Sequence, residues 1–206
     1  MAIRLQEVHP ALVHLPIGML PVAVGADLLG RVMGDETLLE TGRRGIGIAA
    51  ISELIAGVTG LVAQEEVSVE GESLDMLITH RNLNFFATLA TGAMAMWRWR
   101  REEPSVGYLG LGLAGIGVLV YTAYLGGKMV YQHGVGVEAA DGLYDKDAPE
   151  LRRGQLKKVA RTSARDLAHA VPSMVKDIVH GNVAPRLTRH DGRSHRAPAR
   201  AGAGVR

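Results

Sequence analysis

The sequence predicts an all-α membrane protein, a bundle of four transmembrane helices followed by a basic C-terminal extension. Three observations carry this. Long apolar runs recur between residues 11 and 130 of the 206-residue chain. Residues 109–125 contain no charge on any helical face, so the polar stripe of a soluble bundle helix is missing there. Charge is also unevenly divided. Residues 1–137 carry 9 Lys+Arg and 13 Asp+Glu, whereas residues 138–206 carry 14 and 8. The mean hydropathy of +0.10 therefore averages a membrane domain, 1–137, with a basic extramembrane tail, 138–206.

A helix needs about 20 apolar residues to cross a bilayer. The first span is 11–30, "ALVHLPIGMLPVAVGADLLG". It is too long for a signal peptide and carries Asp27, so it reads as retained. Pro10 suits the first turn of a helix capped near His9, and Pro16 and Pro21 each remove a backbone hydrogen bond and bend the span. The second span is 45–64. The third, 82–97, is the shortest and needs flanking helical residues to complete it. The fourth is 106–130, where "GLGLAGIG" follows no strand and reads as helix packing. Trp97 and Trp99 fit an aromatic belt at the end of the third span.

Basic residues in short loops set orientation. Arg31, Arg43, Arg44, Arg98, Arg100 and Arg101 lie on one side. Arg4 and Arg81, with Glu65, Glu66, Glu70, Glu72 and Asp75, lie on the other. The expected placement is a bacterial inner membrane, with loops 31–44 and 98–105 cytoplasmic and both termini outside.

In the tail, residues 154–180 have the spacing of an amphipathic helix. Leu156, Val159, Ser163, Leu167, Ala170, Met174 and Ile178 recur every three or four positions, with Lys157, Lys158, Arg161, Arg165 and Lys176 off that stripe. It reads as a surface-lying helix attracted to anionic lipid, with docking onto a partner as the alternative. Pro172 is expected to kink it. After about 185 the composition predicts disorder. The basic tail has no interleaved aromatics, so nucleic acid is not an expected partner.

Four histidines reach the same predicted membrane surface: His9 and His14 at the start of span one, His80 at the start of span three, and His133 after span four. The chain has no cysteine, which excludes disulfides, thiolate metal sites and covalent c-type haem. Clustered imidazoles suit two uses. One is axial ligation of a non-covalent b-type haem by two histidines from different helices, drawn from His14, His80, His133 and His9, with His14 a stronger candidate than His9 and Arg81 pairing a propionate. The other is a divalent metal such as zinc or copper held by His14, His80 and His133. The plain alternative is hydrogen bonding at an interface. His9 and His14, five apart, share no face if both are helical.

Two acids lie within spans. Glu53, near mid-bilayer, is a candidate proton relay, or a hydrogen-bonded group holding helices together. Asp27 is expected to reach the interface and Arg31, four residues on. No nucleophile elbow, HExxH motif or phosphate-binding Gly loop is present, so no hydrolase or transferase class is indicated.

The motifs "HPALVHLPIGMLPVAVGADLL", "HRNLN" after an acidic loop, and "GGKMVYQHGVGV" resemble an uncharacterised bacterial family of predicted membrane proteins, domain of unknown function 2231, over about residues 6–137. Its pattern falls on His9, Pro10, His14, Pro16, Gly18, Asp27, His80, Gly126, Gly127, Tyr131, His133 and Gly134. The resemblance implies about four spans in a membrane, and a Rieske or cytochrome protein as a periplasmic redox partner. The leading expectation is electron transfer through haem. The rivals are a metal-binding or scaffold protein, and third a small transporter using Glu53.

Overall fold

A computed structural model describes residues 3–136, 150–151 and 154–188. Among these the chain is helical: α1 (Leu5–Leu12), α2 (His14–Met33), α3 (Glu36–Ala63) with a 3₁₀ turn at Gln64–Glu66, α4 (Gly71–Trp99), α5 (Val106–His133), α6 (Leu156–Val179) and α7 (Pro185–Thr188). One two-residue antiparallel pairing joins Ile3–Arg4 (β1) to Glu150–Leu151 (β2). The expectation of disorder after about 185 falls almost wholly outside the described residues, which end with α7 at residue 188.

The helices start and stop where local chemistry dictates. Asp35 caps α3 by accepting from the Leu38 N–H at 3.0 Å. Ser105 caps α5 by accepting from the Tyr108 N–H at 3.2 Å. Gly34 and Gly134 end α2 and α5 in the left-handed conformation, at φ 67° and 63°. The first helix begins at Leu5, not near His9, with Arg4 as its N-cap and the Glu7 carboxylate accepting from the Arg4 N–H at 2.9 Å. Pro10 therefore lies inside a helix rather than in its first turn. The helical hydrogen bonds run on through Val13, whose N–H donates to the His9 carbonyl at 3.1 Å and whose carbonyl accepts from the Ile17 N–H at 3.2 Å, while Pro16 offers no N–H to the Leu12 carbonyl.

Among the described residues three helical stretches are long and apolar enough to cross a membrane: Glu7–Met33, Glu36–Glu66 and Val106–His133. Helix α4 is as long, at 29 residues, but it is not among these three. Its first half carries Glu72, Asp75, Arg81, Asn82 and Asn84, and Arg98 stands near its end. It packs between α3 and α5.

The main core lies where α2, α3, α4 and α5 meet, around Leu20, Val24, Ile46, Met94 and Tyr108. A second cluster of Met76, Leu125 and Met129, with Val135 against it, closes the other end. Helices α2 and α3 approach closely because Gly42 and Gly45 face α2. A Cβ at Gly42 would overlap the Asp27 carboxyl, and one at Gly45 would meet the Ala23 Cβ at 3.0 Å.

The tail helix docks on the bundle. The Arg81 guanidinium donates to Asp177 at 2.6 Å and to the Gln64 side chain at 3.3 Å. His169 Nδ1 lies 2.8 Å from Glu65, and Arg186 pairs with Glu72 at 2.8 Å. The Asn82 amide donates to the carbonyls of Asn182 and Val183, and the Arg186 N–H donates to Thr79 Oγ1. The expected stripe is largely the docked face: Ala170 and Met174 are buried, and Val159, Ser163, Leu167 and Ile178 half-buried, but Leu156 is exposed. Pro172 is accommodated within a continuous helix.

Candidate histidine centre at one end of the bundle

The structure brings His9 and His80 together. Their ring centroids are 6.1 Å apart and the rings are perpendicular. His9 lies on α1 against α3, where its Nδ1–H donates to the Ala56 carbonyl at 2.8 Å. His80 lies on α4 against α5, where its Nδ1–H donates to the Thr122 carbonyl at 2.8 Å. A carbonyl is only an acceptor, so each Nδ1 carries a proton. In the neutral ring the lone pair then resides on Nε2. The partner carbonyls also fix each ring plane.

Glycines face both rings. Only on the His9 side is the fit tight: a Cβ on Gly60 would stand 3.0 Å from two atoms of the His9 ring, whereas one on Gly126 would make ordinary contact with His80 at 3.5 Å. A polar network steadies the His80 side. The Asn84 amide donates to the His80 carbonyl at 2.8 Å, and the Thr122 hydroxyl donates to Asn84 Oδ1 at 3.0 Å.

His14 and His133 do not join this pair. His14 is exposed. Five helical residues carry it roughly 140° round and about 7.5 Å along from His9, so when His9 faces α3 its companion faces away. This reverses the expected ranking of His14 above His9. His133 is half-exposed at the end of α5, eleven residues beyond Thr122 and so about 16 Å further along the axis. Residues 126 and 127 stay helical, and the chain turns only at Gly134. Among the described residues no group of three or more His, Cys, Asp and Glu side chains could hold a metal ion, so the expected three-histidine set is not assembled. Arg81, expected beside a propionate, is engaged by Asp177 and Gln64.

Glu53 is buried on α3, three residues before Ala56. Its Oε1 accepts from the Thr91 hydroxyl of α4 at 3.2 Å, and its Oε2 is buried with no hydrogen-bond partner among the described residues. Asp27 does not pair with Arg31. It is fully buried and accepts from Arg98 Nε at 2.9 Å, while the same guanidinium donates to the carbonyls of Leu39, Arg101 and Glu102. Arg31 instead donates to the Pro104 carbonyl. Sequence reasoning missed this lock and the roles of Ala56, Thr122 and Asn84. Asn82, Asn84 and Thr122 beside or within apolar runs were the available signal.

Residues 6–139 match the protein family described as Predicted membrane protein (DUF2231). The chain belongs to this family. No curated protein and no solved structure matches it. The DUF2231 region contains both His9 and His80 with their carbonyl partners, whereas α6 and α7 lie beyond it. The helical fold and its three membrane-length apolar helices agree with the family description.

Proposed function

We propose that the membrane domain is an electron carrier in which His9 and His80 would hold a non-covalent b-type haem. One observation carries this reading: two perpendicular imidazoles, 6.1 Å apart, each with Nδ1 committed to a backbone carbonyl. That tautomer presents Nε2, and such outer hydrogen bonds are how ligating histidines are oriented. Two histidine donors, with no third His, Asp or Glu grouped beside them among the described residues, favour a haem over a bare metal ion. A bare zinc ion takes three or four protein ligands.

Bound haem supplies reversible one-electron chemistry. The chain's residues do the holding. Ala56 and Thr122 set the tautomers, Asn84 braces the helix turn behind His80, and Gly60 lets the His9 ring lie against α3. Arg81 has no part in it.

In this reading α4 also crosses the bilayer, since it is sandwiched between two apolar helices. The Arg-rich ends of α2, α3 and α4 face the cytoplasm, and the histidine pair faces a periplasmic redox partner such as a Rieske or cytochrome protein. The second reading is structural, because the same hydrogen bonds fasten α1 to α3 and α4 to α5.

An absorption spectrum of the detergent-purified full chain, expressed with ample haem and recorded with and without dithionite, separates the two. Haem binding predicts a Soret band and a sharpened α band on reduction. His9→Ala and His80→Ala should each abolish or shift them, and His14→Ala and His133→Ala should leave them unchanged. A spectrum without these bands, with the protein folded, would leave only the structural reading. Elemental analysis of the same sample tests for a bare metal.

A further inference from the structure

We infer that α6 is a membrane-surface helix with two bound faces, one docked on the bundle and the other on anionic phospholipid. Its position comes first. Glu65 and Gln64 stand where α3 leaves its apolar run, and Arg81 stands where that of α4 begins. Their partners His169 and Asp177 are eight residues apart on α6, about 12 Å along its axis. Helix α6 therefore crosses from α3 to α4 at the edge of the apolar zone, across the bundle helices rather than along them.

Its outer surface comes second. At about 100° per residue, the docked face centres on Ala170. Val171, Val175 and Val179 then fall about 100–180° round the helix. They are 41%, 49% and 75% exposed. Lys158, Arg161 and Lys176 fall at about 180–240° and are also exposed. Both acids of α6 turn toward the bundle: Asp177 pairs with Arg81, and Asp166 is buried beside Arg165. The surface left free is apolar along the C-terminal half of one flank, with the exposed Lys157 at its N-terminal end, and cationic on the next flank. A helix held at this level meets acyl chains with the first and headgroup phosphates with the second. Its long basic side chains reach outward while their stems cover apolar surface.

The absence of native cysteine makes the test direct. The full chain bearing Val175→Cys, labelled with an environment-sensitive fluorophore, is placed in nanodiscs of phosphatidylcholine with or without phosphatidylglycerol. Glu103→Cys, in the α4–α5 loop, serves as the aqueous reference. Lipid-borne quenchers should act several-fold more strongly at 175 than at 103, and more strongly in the anionic discs. Lys158→Gln, Arg161→Gln and Lys176→Gln together should remove that lipid dependence while leaving the circular dichroism unchanged. Equal quenching by aqueous iodide at both positions would overturn the inference. So would a lipid dependence untouched by the Gln variant, or burial of the probe only on adding a soluble polyanion such as heparin.

Discussion

At the scale of single residues, the largest expected effect lies at Arg98. Its guanidinium neutralises the fully buried Asp27 and satisfies three carbonyls. Arg98→Ala leaves an uncompensated buried carboxylate and should lower stability by about 3–5 kcal/mol. Thermal unfolding in detergent measures this. The double variant Asp27→Asn, Arg98→Gln should lose less than the sum of the single variants, because the unpaired charge is gone. Glu53 should behave differently. Among the described residues it has one hydrogen bond, to Thr91, and one buried oxygen without a partner. Ionising it there is costly, so the neutral Glu53→Gln should stay within about 1 kcal/mol of the parent. A loss of several kcal/mol would mean that the charged form is held by groups the carboxamide cannot satisfy. In the sequence Asp27 stands near the end of its apolar run with Arg31 four residues on, and Glu53 near the middle of its own. What separates them is a partner 71 residues away in one case and a lone hydroxyl in the other, and no local pattern carries either distance.

At the scale of elements, the α2–α3 contact depends on missing side chains. Gly42→Ala would place a methyl group onto Asp27, and the helices must separate to admit it. A loss of about 1–3 kcal/mol is expected. Gly47→Ala, on the same helix with nothing within 4 Å, should be neutral or slightly stabilising. Equal effects of the two substitutions in a thermal melt would contradict the close packing. Element boundaries explain the histidine ranking. Apolar content places the first span at 11–30, but the helix starts at Leu5, outside the greasy run, because the Arg4–Glu7 cap and β1 organise that entry. Those six earlier residues make His9 helical, and helical phase then turns His9 inward and His14 outward.

At the scale of the whole molecule, the tail is attached by many small contacts rather than one large core. A chain ending at residue 139 loses the Arg81–Asp177 and Arg186–Glu72 pairs and the carbonyl partners of Asn82. Its melting temperature should fall, while the His9–His80 pair, wholly within the family region, should persist. Imidazole signals from nuclear magnetic resonance on selectively labelled protein would report the pair. Its loss would mean that the tail positions α4. The sequence by itself determined the helical membrane class, the inner-facing stripe of α6 in most of its positions, and the short list from which the histidine pair is drawn. Hydropathy and periodicity are properties of a contiguous window, so they can be read along the chain. Only the tertiary structure decided which two histidines meet, that Arg81 serves the tail, and that Asp27 belongs to Arg98. Each of those depends on the rotation of one helix against another, and that rotation is set by packing between residues tens of positions apart.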